Sequence, residues 1–142
     1  MLIFIITTSL FNNCSTRKSE YINGINKLKE IIQSLNIKDY KIIIVENNNN
    51  KKTFLDELNC ITFYTSNNFL KTKNKGVKEL QDIFDCINKF KIKDNDFIVK
   101  MTGRYMLEDD SKFMNVIKNL HNTKYECVIR YGSFMRPSND KK

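Results

Sequence analysis

Leu2-Ile3-Phe4-Ile5-Ile6, an unbroken run of β-branched and aromatic residues, leads directly into Thr7-Thr8-Ser9. A strand with one wet face alternates apolar and polar residues. This one does not alternate, so it is expected to be covered on both faces. Such strands belong to parallel sheets packed between helices, and ligands of open α/β sheets sit at the carboxyl ends of the strands. Thr7, Thr8 and Ser9 are therefore candidate ligand-facing residues on the rim of a sheet.

The pattern beyond this strand supports that reading. From about Arg17 to Leu35, Tyr21, Ile25, Leu28, Ile32 and Leu35 recur at three- and four-residue steps, which predicts an amphipathic helix. Ser15 or Thr16 is its expected cap, and Lys18, Lys27 and Lys29 are expected to face water. Gly24 lowers helix propensity by up to ~1 kcal/mol relative to alanine, which predicts close packing against the sheet there. Ile42-Ile43-Ile44-Val45 is a second buried strand, ending at Glu46 before the polar loop Asn47 to Asn50. A brief helical turn at Thr53–Leu58 and a short strand at Ile61–Tyr64 follow.

Gly76 to Phe90 reads as a second long helix, with Val77, Leu80, Phe84 and Ile87 as its apolar stripe and Ile83 beside it. Phe97-Ile98-Val99 forms the next strand. Ser111–Leu120 is a third helix and Tyr125–Tyr131 a last strand. The resulting order, β-α-β-turn-β-α-β-α-β, predicts an α/β domain with a mostly parallel, Rossmann-like sheet and right-handed crossovers.

At 142 residues the chain fits one domain. A chain near this length buries roughly 68–70% of its unfolded surface, enough for a core without staples. A 41% hydrophobic share argues against disorder. The net charge of +8 suits nucleic acid, an acidic membrane surface or a phosphorylated ligand. It is equally what a Lys-, Asn- and Ile-rich composition from A/T-rich coding produces. Cys14, Cys60, Cys86 and Cys127 form no Cys-x-x-Cys pair, and His121 has no Cys or His at ligand spacing, so zinc is not expected. Reduced, at least partly buried thiols in a cytoplasmic protein are the expectation. Leu2–Ile6 is too short for a signal-peptide core, and no segment approaches the roughly 20 apolar residues of a membrane span.

The stretch with the most chemistry is Lys100-Met101-Thr102-Gly103-Arg104-Tyr105. Here Gly103 sits among basic residues where a strand ends. Lys100 and Arg104 are suited to a diphosphate, which arginine can meet bidentately, with Thr102 between them. The plainer alternative is a basic turn with Arg104 paired to Glu108. Asn74-Lys75-Gly76 opens a helix, where free N–H groups, the helix dipole and a lysine favour phosphate; it also suits a simple turn. Glu46 ends the second strand of a βαβ unit, where an acid holds ribose hydroxyls; a solvated acid fits equally. The Gly-x-Gly-x-x-Gly fingerprint is absent, which disfavours a nicotinamide enzyme. Glu108-Asp109-Asp110 favours the positive end of the next helix over a metal site, and His121 suits that helix's C-terminal end. Lys51-Lys52 and Lys71 to Lys75 lack the interleaved aromatics of nucleic-acid modules.

Taken in order, Ile-Ile-Thr-Thr-Ser-Leu at 5–10, Ile-Val-Glu-Asn at 44–47, Asn-Lys-Gly-Val-Lys-Glu-Leu at 74–80 and Ile-Val-Lys-Met-Thr-Gly-Arg-Tyr at 98–105 resemble GT-A-fold glycosyltransferases. The likeness is to small glycosyltransferases of giant viruses and some bacteria, and it covers roughly residues 1–133. It implies a nucleotide-sugar-binding domain over 1–133, a polar tail over 134–142, and a cytoplasmic protein, of the infected host's cytoplasm where the protein is viral. It also implies that Thr7, Thr8, Ser9, Glu46 and Asn47 hold the nucleoside. Arg17, Lys75, Gly76, Lys100, Thr102, Gly103 and Arg104 would lie near the diphosphate or sugar. Many GT-A enzymes carry a manganese-binding Asp-x-Asp where this chain has Lys100–Arg104. The cations there disfavour manganese or magnesium and suggest that fixed charge stabilises the leaving diphosphate. Such domains usually run longer, with the acceptor site and base in their C-terminal part. No base is assigned, and a donor-binding remnant without catalysis is the second expectation. A basic nucleic-acid binder is the third and weakest.

Overall fold

The computed structural model describes residues 1–11, 15–109 and 112–128. Four strands form one parallel sheet in the order β3-β2-β1-β4: β1 (Leu2–Thr8), β2 (Tyr40–Glu46), β3 (Ile61–Tyr64) and β4 (Phe97–Thr102). The connection from β1 to β2 is the long helix α1 (Ser15–Ser34), and β3 is joined to β4 through α2 (Lys75–Phe90). A shorter helix, α3 (Lys112–Lys118), follows β4.

The order explains the unbroken apolar run of β1. It is central, paired with β2 from Leu2↔Tyr40 to Thr8↔Glu46 and with β4 from Leu2↔Phe97 to Thr7↔Thr102. Its seven residues are all buried. The chain moves outward from β1 to β2 and β3, then returns to the other side of β1 as β4. With right-handed crossovers, this reversal puts α1 and α2 on opposite faces of the sheet. Phe4, Ile6, Ile42, Ile44 and Val99 pack with Tyr21, Ile25, Leu28 and Ile32 of α1 and Met114 and Ile117 of α3. On the other face Ile3, Ile5, Ile43 and Val45 pack with Cys86, Ile83 and Phe90 of α2.

Several expectations shift. The α1 helix already includes Ser15 and Thr16, so these lie in its first turn and do not cap it. Lys27 does not simply face water: it pairs with Asp109, and Lys29 donates to the Leu58 carbonyl. The predicted close approach at Gly24 is present, but to a different partner. A Cβ there would lie 2.5 Å from the Gly103 carbonyl oxygen and 3.0 Å from that of Tyr105. Gly24 therefore seats the turn after β4. The brief helical turn is a 3-10 helix, Phe54–Leu58, closed by a Thr53–Asp56 capping box.

The largest departure concerns α2. Its apolar stripe was expected to meet the sheet, yet Val77, Leu80 and Phe84 are about half exposed (48%, 50% and 51%). The sheet-facing side carries Asp82 and Cys86, both fully buried. Asp82 accepts hydrogen bonds from Asn47 Nδ2, Thr65 Oγ1 and Asn67 Nδ2, each at 2.8 Å. Three hydrogen bonds to one buried carboxylate fix the rotation of the helix more strongly than a generic apolar stripe does. Tyr125–Val128 adds no strand, and Ile129–Tyr131 lies outside the described residues. Cys60 is half-buried and Cys86 buried, but Cys127 is exposed, contrary to expectation; Cys14 is outside the described residues. His121 stacks edge-on to Phe97 with ring centroids 5.0 Å apart, a packing role. No helix among the described residues is long and apolar enough to cross a membrane.

Candidate functional site

A cavity of about 500 Å³ opens at the carboxyl ends of β1, β2 and β4. This is the reversal point of strand order, where the ends of the first helix and of α2 diverge and leave a crevice. Its floor is Thr7, Thr8 and Ser9, continuing β1. Asn47 enters from the end of β2, and Thr102 and Arg104 from the end of β4. Arg17 and Tyr21 reach in from α1, and Lys75, Lys78 and Glu79 from the start of α2. Among the described residues, four cations thus line the cavity against one carboxylate.

The local chemistry positions these groups. Tyr21 Oη accepts from Ser9 N at 2.9 Å and donates to Ser9 O at 3.3 Å, fixing the turn out of β1. Burial pushes the Tyr21 phenol above its ordinary pKa, so it stays protonated and able to donate. Arg17 Nη1 donates to the same Ser9 carbonyl at 2.9 Å. Gly103 lies under the floor: a Cβ would meet Tyr21 Cδ1 at 2.8 Å and Ile6 and Thr8 Cγ2 at 3.1 Å. Absence of a side chain, and not an unusual backbone angle, explains this glycine. Gly103 N donates to Thr7 O at 3.1 Å, which carries the ladder one residue past β4. Arg104 is exposed, and among the described residues its side chain makes no hydrogen bond or ion pair. The alternative pairing with Glu108 is not found.

Two expected residues are used differently. Glu46 is fully buried and absent from the cavity lining. Its carboxylate accepts from Thr8 Oγ1 at 2.7 Å, Leu10 N at 3.0 and 3.1 Å, Asn48 N at 3.2 Å and Asn48 Nδ2 at 3.0 Å. It ties the loop after β2 to the loop after β1, so the expectation that it holds ribose hydroxyls gives way to a structural role. Lys100 points toward α2, 2.7 Å from Glu79 Oε1 and 3.3 Å from Thr102 Oγ1. It lines the hollow beside β4 and meets the rim cavity through Glu79 and Thr102.

The start of α2 also differs in detail. Asn74 caps it, accepting from Gly76 N at 2.9 Å and Val77 N at 3.4 Å. These two N–H groups, expected to be free for phosphate, are held by the cap, and Gly76 does not line the cavity. Lys75 does line it. Asn47 does as well: its Nδ2 donates to Asp82 while its buried Oδ1 has no partner among the described residues.

Lys78 and Glu79 were not singled out in the sequence, though their spacing contained the signal. Lys75, Lys78 and Glu79 sit at i, i+3 and i+4, one face of a helix. A larger hollow of about 700 Å³ lies at the opposite, amino-terminal side of β2 and β3. Its place is not where parallel sheets bind ligands.

No protein-family model matches the chain, and neither the curated proteins nor the solved structures contain a match.

Proposed function

We propose that the protein is a GT-A-like glycosyltransferase that takes its sugar from a nucleoside-diphosphate donor. The observation that carries this reading is the convergence of Arg17, Lys75, Lys78 and Arg104 on one cavity at the carboxyl rim of a parallel sheet. Opposed cations at that place suit a diphosphate, the group common to such donors. The cavity volume falls within the roughly 300–1,000 Å³ range of small-molecule sites.

In the proposed reaction the bond between the anomeric carbon and the diphosphate oxygen breaks. An acceptor hydroxyl of a glycan or protein forms the new bond and its proton passes to a base. The diphosphate leaves with added negative charge, and Arg104, Lys75, Lys78 and Arg17 stabilise that charge where it develops. The rim Thr7–Ser9 and Asn47 take the nucleoside. Glu46 supports that wall from behind.

Related folds use a divalent cation at the place of the Lys100–Arg104 segment. The residues here do not fit one. The described rim residues offer cations and one carboxylate, Glu79, which is already paired with Lys100. The reaction is therefore proposed without a metal step.

The reading is tested by thermal shift of the full chain with UDP, GDP, ADP, CDP and their sugar conjugates, with manganese and with chelator. Ligands that bind only the folded state raise its melting point. Stabilisation by at least one nucleotide, unchanged by chelator, followed by turnover of its sugar conjugate, is the expected outcome. Saturable binding without transfer or hydrolysis would favour a non-catalytic binder, and no stabilisation by any nucleotide would overturn the proposal.

A further inference from the structure

Among the described residues, Glu79 is the one acid lining a cavity that four cations otherwise prepare for an anion. Its carboxylate is held asymmetrically. Thr7 Oγ1 donates to Oε1, and Lys100 Nζ approaches the same oxygen at 2.7 Å. Oε2 has no hydrogen-bond partner among the described residues, and the side chain is 35% exposed. A carboxylate offers about four acceptor positions over its two oxygens, so roughly half of this one remains for whatever enters the cavity.

Repulsion excludes phosphate from that oxygen. A group that approaches it must donate a hydrogen bond, and on a nucleotide sugar the donors are base N–H groups and sugar hydroxyls. Strand order separates the two. Glu79 meets Thr7 at the end of β1 and Lys100 on β4, whereas the amides Asn47 and Asn68 lie at the ends of β2 and beyond β3. Neighbouring strands are about 4.8 Å apart, so the acid and the amide wall serve different parts of a ligand.

The geometry points to Glu79 as the residue that selects a hydroxyl-bearing ligand: Oε2 accepts a hydrogen bond from a sugar hydroxyl, while Lys100 and Thr7 orient the carboxylate through Oε1. The hydroxyl comes from the ribose or from the transferred sugar. The inference rests on the nucleotide-sugar reading above, and it adds a discriminating residue which that reading does not require.

The test is calorimetric titration of the full-length wild type and Glu79→Gln with four probes. These are inorganic pyrophosphate, the most stabilising of UDP, GDP, ADP and CDP, the 2′,3′-dideoxy form of that nucleotide, and its glucose conjugate. The wild type is expected to prefer a hydroxyl-bearing probe over its counterpart by about tenfold or more, as bonds to charged acceptors do. The substitution should abolish that preference while leaving pyrophosphate binding equal or tighter. Loss of the ribose-versus-dideoxy preference assigns the ribose; loss of the glucose-conjugate preference assigns the transferred sugar.

A uniform change across all four probes means the carboxylate acts only by charge or by holding Lys100 and Thr7, and overturns the inference. So does a wild type that binds nucleotide but shows neither preference, a result that does not depend on the variant folding. A wild type that binds no probe at all overturns the proposed function and this inference with it.

Discussion

The two sides of the strand rim are built on opposite principles. On the β2–β3 side, polar groups spend themselves on one another. Glu46 gathers Thr8, Leu10 and Asn48; Asp82 gathers Asn47, Thr65 and Asn67; Asn68 donates to Asn48 Oδ1 at 2.6 Å. On the side toward β4, Arg104 and Lys75 make no side-chain hydrogen bond or ion pair among the described residues, and Glu79 keeps one oxygen open. Buried polar groups must be satisfied from within, whereas groups facing a cavity can be left for a ligand. The contrast separates the buried acids that hold the site, Glu46 and Asp82, from the charged groups left open toward the cavity, Arg104, Lys75 and one oxygen of Glu79.

The sharpest way to break the comparison is Asp82→Ala. It removes three acceptor contacts, leaving the Asn47 amide without its acceptor and Asn67 with Asp85 alone. Urea unfolding should show a loss of about 3 kcal/mol. The pH dependence adds a second check. Burial, partly offset by the bonds from Thr65, Asn67 and Asn47, raises the Asp82 pKa above its ordinary 3.8. A raised carboxylate pKa favours the folded state most below the unfolded value, and that contribution is lost as pH rises through the folded value. The stability difference between wild type and Asp82→Ala should therefore shrink over that interval as pH increases.

Arg104→Ala probes the opposite side. Stability should stay within about 0.5 kcal/mol, as for an exposed side chain without partners. Affinity for the stabilising nucleoside diphosphate, read by calorimetry, should fall by about 1.5–3 kcal/mol. A large stability loss without an affinity loss would reverse the division drawn between the two sides.

Gly24→Ala links the core to the site. Alanine gains up to ~1 kcal/mol of helix propensity. Against this, its Cβ meets backbone carbonyl oxygens at 2.5 and 3.0 Å, a clash that costs about 1–3 kcal/mol. The net expectation is a loss of about 1 kcal/mol in chemical denaturation, with weaker anion binding because the turn carrying Arg104 moves. Leu80→Gln on the exposed stripe of α2 should be the mildest, within about 0.5 kcal/mol by thermal melting. A much larger loss would mean that this face is covered.

Much of the architecture is legible in the chain. The unalternating runs Leu2–Ile6 and Ile42–Val45 identify strands buried on both faces, and the helical spacing of Tyr21, Ile25, Leu28 and Ile32 identifies the helix that covers one of them. The rim residues Thr7–Ser9 and the cation Arg104 were legible too, because strand ends in parallel sheets are where ligands approach. The fate of Glu46 was not legible. Whether a carboxylate at a strand end meets a ligand or its own loops depends on which backbone N–H groups fold back onto it, and Leu10 and Asn48 do so only once β1 and β2 are paired.

The rotation of α2 makes the same point. Periodicity proposed Val77, Leu80 and Phe84 as its buried face, and the folded helix turns Asp82 and Cys86 inward. Periodicity weighs hydrophobicity along one segment; it does not weigh a buried carboxylate that three side chains from two distant loops can satisfy. The sequence alone determines the elements, their order and the charge carried to the rim, because these follow from local spacing and strand chemistry. Tertiary structure alone decides which of those charges are committed within the fold, Glu46 by buried hydrogen bonds and Lys100 by its pair with Glu79, and which stand open, as with Arg104 and one oxygen of Glu79. Hydrogen bonds and ion pairs form between residues that only folding brings within 3 Å.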